Sequence, residues 1–336
     1  MENKSILVTG GLGFIGSHFV ELLYKRCNNC IIDIVDIKDY CVSKRTEDLL
    51  FDKGRESGND VSIIYDNIET WTLDVEYDYI VNFAAQSHVD NSISNPKSFI
   101  DSNIVGFENL LRTSLESDVE EVVHISTDEV YGSLNKDFAN ENFLLNPSSP
   151  YSATKASADL IASAFKNTYG LNIKIIRPAN NYGKFQQAEK LIPFSVISLL
   201  KNSKIEIYGD GKNIRHWLHV DDTIEAIKHV EKFGEPGEVY NIGSGEYLTN
   251  NTVVNHITDC LNLDFKNNII YVEDRPGHDY RYAVDLTKIK NIGWKPKRFF
   301  KDEISNIVDW YKSNGDWWKE SYLETLKKRA SRMGLG

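Results

Sequence analysis

Thr9-Gly10-Gly11-Leu12-Gly13-Phe14-Ile15-Gly16 joins an apolar run, Ser5–Thr9, to a helix-forming segment, Phe14–Arg26. The stretch satisfies G-x-G-x-x-G through Gly11, Gly13 and Gly16, and G-x-x-G-x-x-G through Gly10, Gly13 and Gly16. Glycines here permit a tight turn and let the backbone approach a pyrophosphate, and the helix N-terminus that follows offers N–H groups without helical partners. A glycine motif alone is weak, since many glycine-rich turns bind nothing. Its context here is ordered: strand before, helix after, then a second strand ending at Asp36, 20 residues past Gly16. A carboxylate at that place accepts both ribose hydroxyls of a dinucleotide and repels a 2′-phosphate, so the expected cofactor is NAD rather than NADP.

The segments beyond this turn repeat its alternation. Residues 31–35, 61–65, 79–84, 121–126 and 172–177 read as further strands, most of them rich in Ile and Val, and residues 98–117 and 152–169 read as helices. Near-continuous apolar strands separated by helices imply a parallel sheet covered on both faces, hence an α/β, doubly wound (Rossmann) architecture. Past Arg177 the pattern loosens. Helices at 191–201, 222–232, 251–261 and 301–312 alternate with short strands at Ile205–Tyr208, Val239–Ile242 and Ile269–Val272. The expected division is an NAD-binding domain over 1–177 that carries the reactive residues, and a smaller C-terminal α/β lobe over 178–336 that binds substrate, with some segments returning to the first domain. Residues 316–332 are helical in composition and include Trp317 and Trp318, suited to capping the core or meeting another subunit.

A chain of 336 residues suffices for a full-sized core. Hydrophobic residues at 41% and charged residues at 26% exclude disorder as the main state. A net charge of -11 disfavours nucleic acid and anionic membranes as partners. No apolar stretch approaches the roughly 20 residues that span a bilayer. The start, Met1 to Ser5, has no export-signal pattern, so the expected location is the cytoplasm. Cys27 and Cys30 form a CxxC, but no second pair or nearby His completes a zinc site. With Cys41 and Cys260 they read as free thiols in a reducing compartment, and no metal is expected.

Tyr151-Ser152-Ala153-Thr154-Lys155 places a phenol and an ammonium at i and i+4, on one helix face. A phenol near pKa ~10 is a poor base at neutral pH, and a neighbouring ammonium and a nicotinamide cation favour its ionised form. The Lys can also hold the cofactor ribose. Y-x-x-x-K is common by chance, but here it follows a strand ending in Ser126-Thr127, in a chain that already has a dinucleotide turn. The Thr127 hydroxyl can hold a substrate oxygen, and the combination points to hydride transfer. Beside it, Asp128 and Glu129 read either as solvated residues of a strand-to-loop turn or as an acid–base pair. Adjacent carboxyls can take different protonation states when their surroundings differ.

Residues 10–16, Tyr151 and Lys155 together resemble the extended short-chain dehydrogenase/reductase family. Ser126-Thr127-Asp128-Glu129-Val130-Tyr131-Gly132 resembles, more narrowly, the nucleotide-sugar 4,6-dehydratases, which dTDP-glucose 4,6-dehydratase represents. The likeness continues through Ala84-Ala85-Gln86-Ser87-His88-Val89-Asp90, Asn180-Asn181-Tyr182-Gly183 and Glu189-Lys190-Leu191-Ile192-Pro193. It extends to Tyr208-Gly209-Asp210-Gly211, Tyr240-Asn241-Ile242-Gly243 and Asp274-Arg275-Pro276-Gly277-His278, and so covers nearly the whole chain. The resemblance implies a lyase that turns dTDP-glucose or UDP-glucose into the 4-keto-6-deoxyglucose nucleotide, a step of deoxysugar biosynthesis such as that of rhamnose. It implies that Tyr151 takes the proton of the C4 hydroxyl while C4 gives a hydride to NAD. Glu129 then removes the C5 proton, Asp128 protonates the departing C6 hydroxyl, the hydride returns to C6, C5 is reprotonated and NAD is regenerated. The cycle is redox-neutral and keeps its cofactor.

By the same resemblance, Gly10, Gly13, Phe14, Ile15, Gly16, Asp36, Ile37, Asn67, Ile68, Phe83, Ala84, Ala85, Ser87, Ser102, Tyr151, Lys155 and Asn181 hold NAD. Thr127, Asp128, Glu129, Tyr151 and Lys155 carry the chemistry. Ser87, Thr127, Asn180, Lys190, Leu191, Glu206, Ile207, Tyr208, Arg215, Asn250, Asp274, Arg275 and His278 contact the nucleotide sugar. Arg215 and Arg275 suit a diphosphate through paired hydrogen bonds. His88, His216 and His219 lack metal-ligand spacing and read as structural.

Several positions depart from the bacterial pattern. Gln86 stands where Glu is usual, Asn67 where Asp is expected near the adenine and Ser102 where Thr is expected, and Ile37-Lys38-Asp39-Tyr40 lacks the usual Lys and Thr contacts. Gln86 and Asn91 also resemble the eukaryotic branch, which includes UDP-glucose 4,6-dehydratases. Thymine and uracil both stay open, since a methylene-sized difference is worth only ~1–3 kcal/mol in a pocket. One rival reading is a sugar-nucleotide 4-epimerase or decarboxylase on the same fold, against which the two extra carboxyls count. Another is a non-catalytic NAD-binding regulator, which has no need of Tyr151, Lys155, Asp128 and Glu129 together. The resemblance also implies a homodimer through a four-helix contact, for which residues 98–117 and 152–169 are the candidates.

Overall fold

The computed structural model describes residues 2–39, 42, 44–73 and 75–332, so Tyr40 and Cys41 lie outside the described residues. The strands in chain order are β1 (Ser5–Thr9), β2 (Ile31–Asp36), β3 (Asp60–Tyr65), β4 (Tyr79–Asn82), β5 (Glu121–Ile125) and β6 (Ile173–Pro178), followed by β7 (Asn180–Tyr182), β8 (Ile205–Tyr208), β9 (Ile214–His219), β10 (Val239–Ile242), β11 (Tyr247–Thr249) and β12 (Ile269–Val272). A seven-stranded sheet has the order β10-β6-β5-β4-β1-β2-β3, and every pairing in it is parallel. The chain runs outward from β1 to β3, then returns to lay β4 on the other edge of β1. Loops leaving β1 and β4 therefore diverge, and a crevice opens at their C-terminal ends.

The helices are α1 (Phe14–Arg26), α2 (Lys44–Glu56), α3 (Val89–Ser94), α4 (Pro96–Ile100), α5 (Phe107–Glu116), α6 (Pro150–Tyr169), α7 (Leu191–Leu200), α8 (Val220–Phe233), α9 (Asn250–Cys260), α10 (Thr287–Asn291), α11 (Phe300–Ser313) and α12 (Gly315–Arg332). Alternation along β1 shows how they cover the sheet. Ile6 and Val8 pack with Phe19, Val20 and Leu23 of α1 and with Ile224 and Ile227 of α8. Leu7 points the other way, into a cluster with Phe107 and Leu110 of α5 and Ala158 and Ala162 of α6. Both faces are apolar because both are covered, which is why these strands read as unbroken Ile and Val runs.

A second core joins α7, α9, α11 and α12 around Tyr182, Trp217, Phe300 and Tyr311, and includes Trp317 and Trp318. The short sheets β11-β9-β7 and β12-β8 belong to this part. The strand Val239–Ile242, although late in the chain, pairs with β6 and closes the main sheet.

Three expectations need correcting. Residues 98–117 are not one regular helix: α4 runs into a π-helical turn, Asp101–Gly106, before α5 begins. The turn leaves Asn103 buried, its amide donating to the Gln86 carbonyl at 3.0 Å and to Thr154 Oγ1 at 2.9 Å, while its Oδ1 accepts from Gln86 N–H at 2.8 Å. The expected strand at 79–84 ends at Asn82, because Phe83 and Ala84 leave the sheet to line the crevice. The helix expected from 152 starts at Pro150, where Ser149 and Ser152 cap each other reciprocally and Pro takes the first turn. That earlier start puts Tyr151 in the first turn of α6.

Gly10 has φ +69, and a Cβ there would lie 2.5 Å from Ala84 N, so this turn closes onto the end of β4 only as glycine. Cys27 and Cys30 are buried and Cys260 partly buried, and among the described residues none of the three forms a disulfide. Among the described residues no helix is long and apolar enough to cross a membrane, and no cluster of His, Cys, Asp and Glu has metal-binding geometry.

Candidate active site

The crevice between the β1 and β4 loops collects the residues expected to hold NAD. Gly10, Gly13, Phe14, Ile15 and Gly16 form one wall, with Asp36 and Ile37 after β2 and Asn67 and Ile68 after β3. Phe83, Ala84, Ala85 and Ser87 follow β4, and Ser102, Tyr151, Lys155 and Asn181 complete the lining. No side chain caps the N-terminus of α1. A Cβ on Gly13 would meet only Gly10 O, at 3.3 Å, so this side of the turn is open to an anion. Asp36 accepts from Leu12 N–H at 2.8 Å. Burial pushes its carboxyl up to about 7; the Leu12 N–H opposes the rise, and Asp39 and Glu47 add to it. Open N–H groups at one end and a carboxylate at the second strand fit a dinucleotide with a free ribose 2′-hydroxyl.

At the other end of the crevice, β5 delivers Ser126 and Thr127 into a short 3-10 turn, Asp128–Tyr131. Thr127 Oγ1 accepts from Glu129 N–H at 3.2 Å and starts that turn. Thr127, Glu129, Tyr151 and Lys155 line the crevice together. Burial, then the nearby Glu129, pushes the Tyr151 phenol well above its ordinary value, while a hydrogen bond with Thr127 opposes this. Lys155 Nζ donates to the Ile125 carbonyl at 2.8 Å. Burial lowers its ammonium to about 8, with Asp159 pulling it back up.

The two carboxyls differ. Asp128 is 2% exposed, and among the described residues neither of its oxygens has a well-formed hydrogen bond, although the Thr127 hydroxyl and its own N–H lie near enough to favour its ionised form. Burial, then Glu129, holds it well above the carboxylate range, with Arg215 the main opposing charge. Glu129 is also raised by burial, but Arg275, Arg215 and Lys190 all pull it back. Asp128 is thus held toward its protonated form, and Glu129, facing three cations, is held there less firmly. Both lie near enough to Tyr151 to disfavour the phenolate.

Of the residues expected to meet the nucleotide sugar, Ser87, Thr127, Asn180 and Lys190 line the same crevice. Lys190 Nζ donates to the Ser87 carbonyl at 3.0 Å. Arg275 pairs with Asp90 at 3.0 Å, and the Tyr208 hydroxyl donates to the other Asp90 oxygen at 3.1 Å. His278 Nδ1 lies 2.6 Å from Asp274 and its ring stands edge-on to Tyr208. Arg215 places its guanidinium over the Tyr282 ring, 4.3 Å from its centre. Others stand apart. Ile207 is 1% exposed in the second core, so its side chain is withdrawn from any ligand. Glu206 pairs with Arg329 of α12 at 3.0 Å. Leu191 and Asn250 start α7 and α9.

Sequence reading missed Tyr282, whose hydroxyl donates to Asp279 at 2.8 Å and lies 3.4 Å from Glu129 Oε2. It also missed Asp90 as the partner of Arg275, and His124 beneath Lys155. None carries a local pattern, although Asp90 sits inside a quoted motif. His88, His216 and His219 accept backbone N–H groups, from Asn91 at 3.3 Å, Gly245 at 2.7 Å and Asp221 at 3.2 Å respectively. Asn67 Oδ1 accepts from Glu69 N–H at 3.0 Å, so it shapes the turn that it lines.

The model of the GDP-mannose 4,6 dehydratase family matches residues 7–307. A dTDP-glucose 4,6-dehydratase of Streptomyces antibioticus is 39% identical, over 97% of this chain and 96% of its own. A trifunctional UDP-glucose 4,6-dehydratase/UDP-4-keto-6-deoxy-D-glucose 3,5-epimerase/UDP-4-keto-L-rhamnose-reductase of Arabidopsis thaliana is 36% identical, over 94% of this chain and 48% of its own. The crystal structure of a dTDP-glucose 4,6-dehydratase from Streptomyces venezuelae, with NAD and dTDP bound, has a TM-score of 0.90 at 38% identity and covers 94% of this chain and 99% of its own. Matched along nearly its whole length by the family model and by these relatives, the chain belongs to the NAD-dependent nucleotide-sugar 4,6-dehydratases.

Proposed function

We propose that the chain converts dTDP-glucose or UDP-glucose into the 4-keto-6-deoxyglucose nucleotide with loss of water. The observation that carries this reading is the split between Asp128 and Glu129, neighbours beside Tyr151 of which the first is buried and faces Arg215, and the second is partly exposed in the crevice and faces Arg275, Arg215 and Lys190. Tyr151 takes the proton of the C4 hydroxyl, and Thr127 holds that oxygen. Lys155 stabilises the phenolate and holds the ribose. NAD, when bound, supplies a hydride acceptor that returns the same hydride at C6. A ketone at C4 acidifies the C5 proton, which Glu129 removes; a proton is returned to C5 when the hydride reaches C6. Asp128 passes its proton to the C6 hydroxyl, which leaves as water. Lys190, Arg215 and Arg275 receive the diphosphate, with Asp90 yielding Arg275 to it. An epimerase needs the phenol, the lysine and a hydroxyl; a buried carboxyl at Asp128 and a second at the crevice wall would be an unused cost to it.

The test is incubation with dTDP-glucose and, separately, UDP-glucose, followed by mass spectrometry. Loss of one water, with deuterium at C5 after reaction in heavy water, is the expected result. A product of unchanged mass would favour the epimerase, and bound NAD without turnover would favour the regulator.

Asp36 gives the cofactor site a pH dependence. With its carboxyl at about 7 it ionises across neutral pH, and the ionised form accepts the ribose hydroxyls more strongly. NAD affinity, measured by calorimetry, should rise severalfold from pH 6 to pH 8 in the wild type and stay flat in Asp36→Asn. The stability of the ligand-free chain moves the other way. The raised carboxyl contributes stability at low pH that is lost as pH rises through about 7. Equal affinity at both pH values would remove Asp36 from the ribose.

The proposed division gives residues 1–177 and the returning strand β10 to the cofactor domain, and most of 178–336 to the substrate lobe. We place the protein in the cytoplasm as a homodimer. Ile100, Val105 and Leu160 are 45%, 47% and 63% exposed on α4, the π-helical turn and α6, which pack on one another. Leu160→Glu should yield monomers in sedimentation velocity, and an unchanged dimer would move the interface elsewhere.

A further inference from the structure

Lys155 Nζ has a second neighbour beneath the crevice: His124 Nε2, at 3.3 Å. His124 is 1% exposed and its ring stacks on Phe107, with centroids 4.0 Å apart. Its Nδ1 lies 2.9 Å from the side-chain amide nitrogen of Asn82 on β4, whose other end meets the Thr9 hydroxyl on β1. A row of polar side chains thus crosses β1, β4 and β5 inside an otherwise apolar sheet and ends on Lys155.

Donor and acceptor rules restrict how protons sit in this row. An ammonium donates and cannot accept, so it needs a bare Nε2. That puts the imidazole proton on Nδ1 and the carbonyl end of the Asn82 amide toward the ring. A neutral amine has a lone pair and accepts from Nε2–H. Nδ1 is then bare and accepts from the amide nitrogen, the end of Asn82 that faces it here. Turning the amide end for end exchanges two groups of nearly equal size, and the Thr9 hydroxyl then rotates from donating to the amide oxygen to accepting from the amide nitrogen.

We propose that His124 is a positioning residue that changes tautomer with the charge of Lys155, so that Nζ keeps both the Ile125 carbonyl and His124 as partners in either state and always aims its remaining N–H into the crevice. The inference rests on reading Lys155 as the partner of Tyr151 in the hydride-transfer site. Burial holds Lys155 to about 8, which makes both charge states available near neutral pH. Burial, then the Lys155 charge, keeps His124 well below its ordinary value, so the imidazole is neutral at rest in both states. In going from ammonium to amine, Nζ passes one proton to Nε2 and Nδ1 releases its own to solvent through a brief local opening, so the pair loses one proton in all. The other charged groups around Lys155 are Asp159, one turn along α6 and paired at 2.8 Å with Arg177 of β6, and, across Tyr151, Glu129 and Asp128.

The experiment uses the full chain with nitrogen-15-labelled histidine and no nucleotide sugar. The two ring-nitrogen resonances of His124, assigned by their loss in His124→Gln, should exchange their protonated and bare signatures as pH crosses the Lys155 titration. That titration is followed on labelled lysine and assigned by its loss in Lys155→Arg. One fixed tautomer across the range would overturn the proposal. His124→Phe keeps a ring against Phe107 but offers neither donor nor acceptor, whereas His124→Gln offers both. The Phe variant should lower the Lys155 pKa by about one unit and kcat by roughly tenfold, with KM unchanged within about twofold, and Gln should recover most of both. A Gln variant no better than Phe would also overturn it. Water loss by the wild type tests the underlying reading separately.

Discussion

Glu129→Gln should still pass a hydride from C4 to the cofactor, yet eliminate water roughly 10²–10⁴-fold more slowly than the wild type. The amide has the shape of the carboxylate and can take no proton, so the change removes one proton acceptor and little volume. The first step should be spared or eased. Glu129 is the first charge, after burial, that pushes the Tyr151 phenol up, and neutralising it makes the phenolate easier to form. The surroundings argue that the residue works as a base: Arg275, Arg215 and Lys190 all favour its ionised form against burial. Mixing the variant with dTDP-glucose should leave a lasting absorbance of reduced nicotinamide and, on quenching, a 4-keto sugar that has kept its C6 oxygen. Normal water loss would free Glu129 from its role, and absence of any reduced cofactor would shift that role to the first step. In the wild type the elimination rate should climb with pH as Glu129 ionises and fall again only once Asp128 gives up its strongly held proton.

How far this site can be read from the chain depends on how local its parts are. The glycine turn, Asp36, the 126–132 run and the Tyr151–Lys155 spacing are each contained in a few consecutive residues, and all reach one crevice, the 126–132 run through Ser126, Thr127 and Glu129, with Asp128 buried behind its lining. Strands β1 and β10 fall where apolar runs place them, because burial on both sides leaves no ambiguity of face. Strands β8 and β12 fall there too, although β8 is buried on alternate residues and β12 leaves Ile270 and Tyr271 exposed. Helix α2 has no such signal. Its sequence Lys44-Arg45-Thr46-Glu47-Asp48-Leu49-Leu50-Phe51-Asp52-Lys53-Gly54-Arg55-Glu56 is mostly charged, and it is helical because it packs against α1 and β3. The π-helical turn is invisible for another reason: one extra residue per turn hardly alters the apolar spacing of 98–117. Arg275 and its carboxylate partner Asp90 are 185 residues apart, and Tyr282 lies 153 residues from Glu129. Only tertiary structure brings such pairs together.

Tyr151→Phe should halt the sequence one step earlier, with neither reduced cofactor nor water loss, at a rate roughly 10²–10⁴-fold below the wild type. The loss should be large because the empty site opposes its own base. Burial and Glu129 hold the phenol up, and burial brings the Lys155 ammonium down to about 8, so neither group alone produces a phenolate at neutral pH. The ionised phenol has to draw on the Lys155 charge together with a cationic nicotinamide in the same dry crevice. Wild-type hydride transfer should therefore quicken with pH until Lys155 begins to lose its proton, while the Phe variant, with no proton to lose at that position, responds little. Order of action can be read from the double variant. If Tyr151 acts before Glu129, then Tyr151→Phe combined with Glu129→Gln should be about as slow as Tyr151→Phe alone in single turnovers, since a sugar that never becomes a ketone offers no acidic C5 proton. A double variant slowed by the product of the two separate effects would mean that the residues act in one concerted step, and reduced cofactor in Tyr151→Phe at the wild-type rate would give the C4 proton to another group.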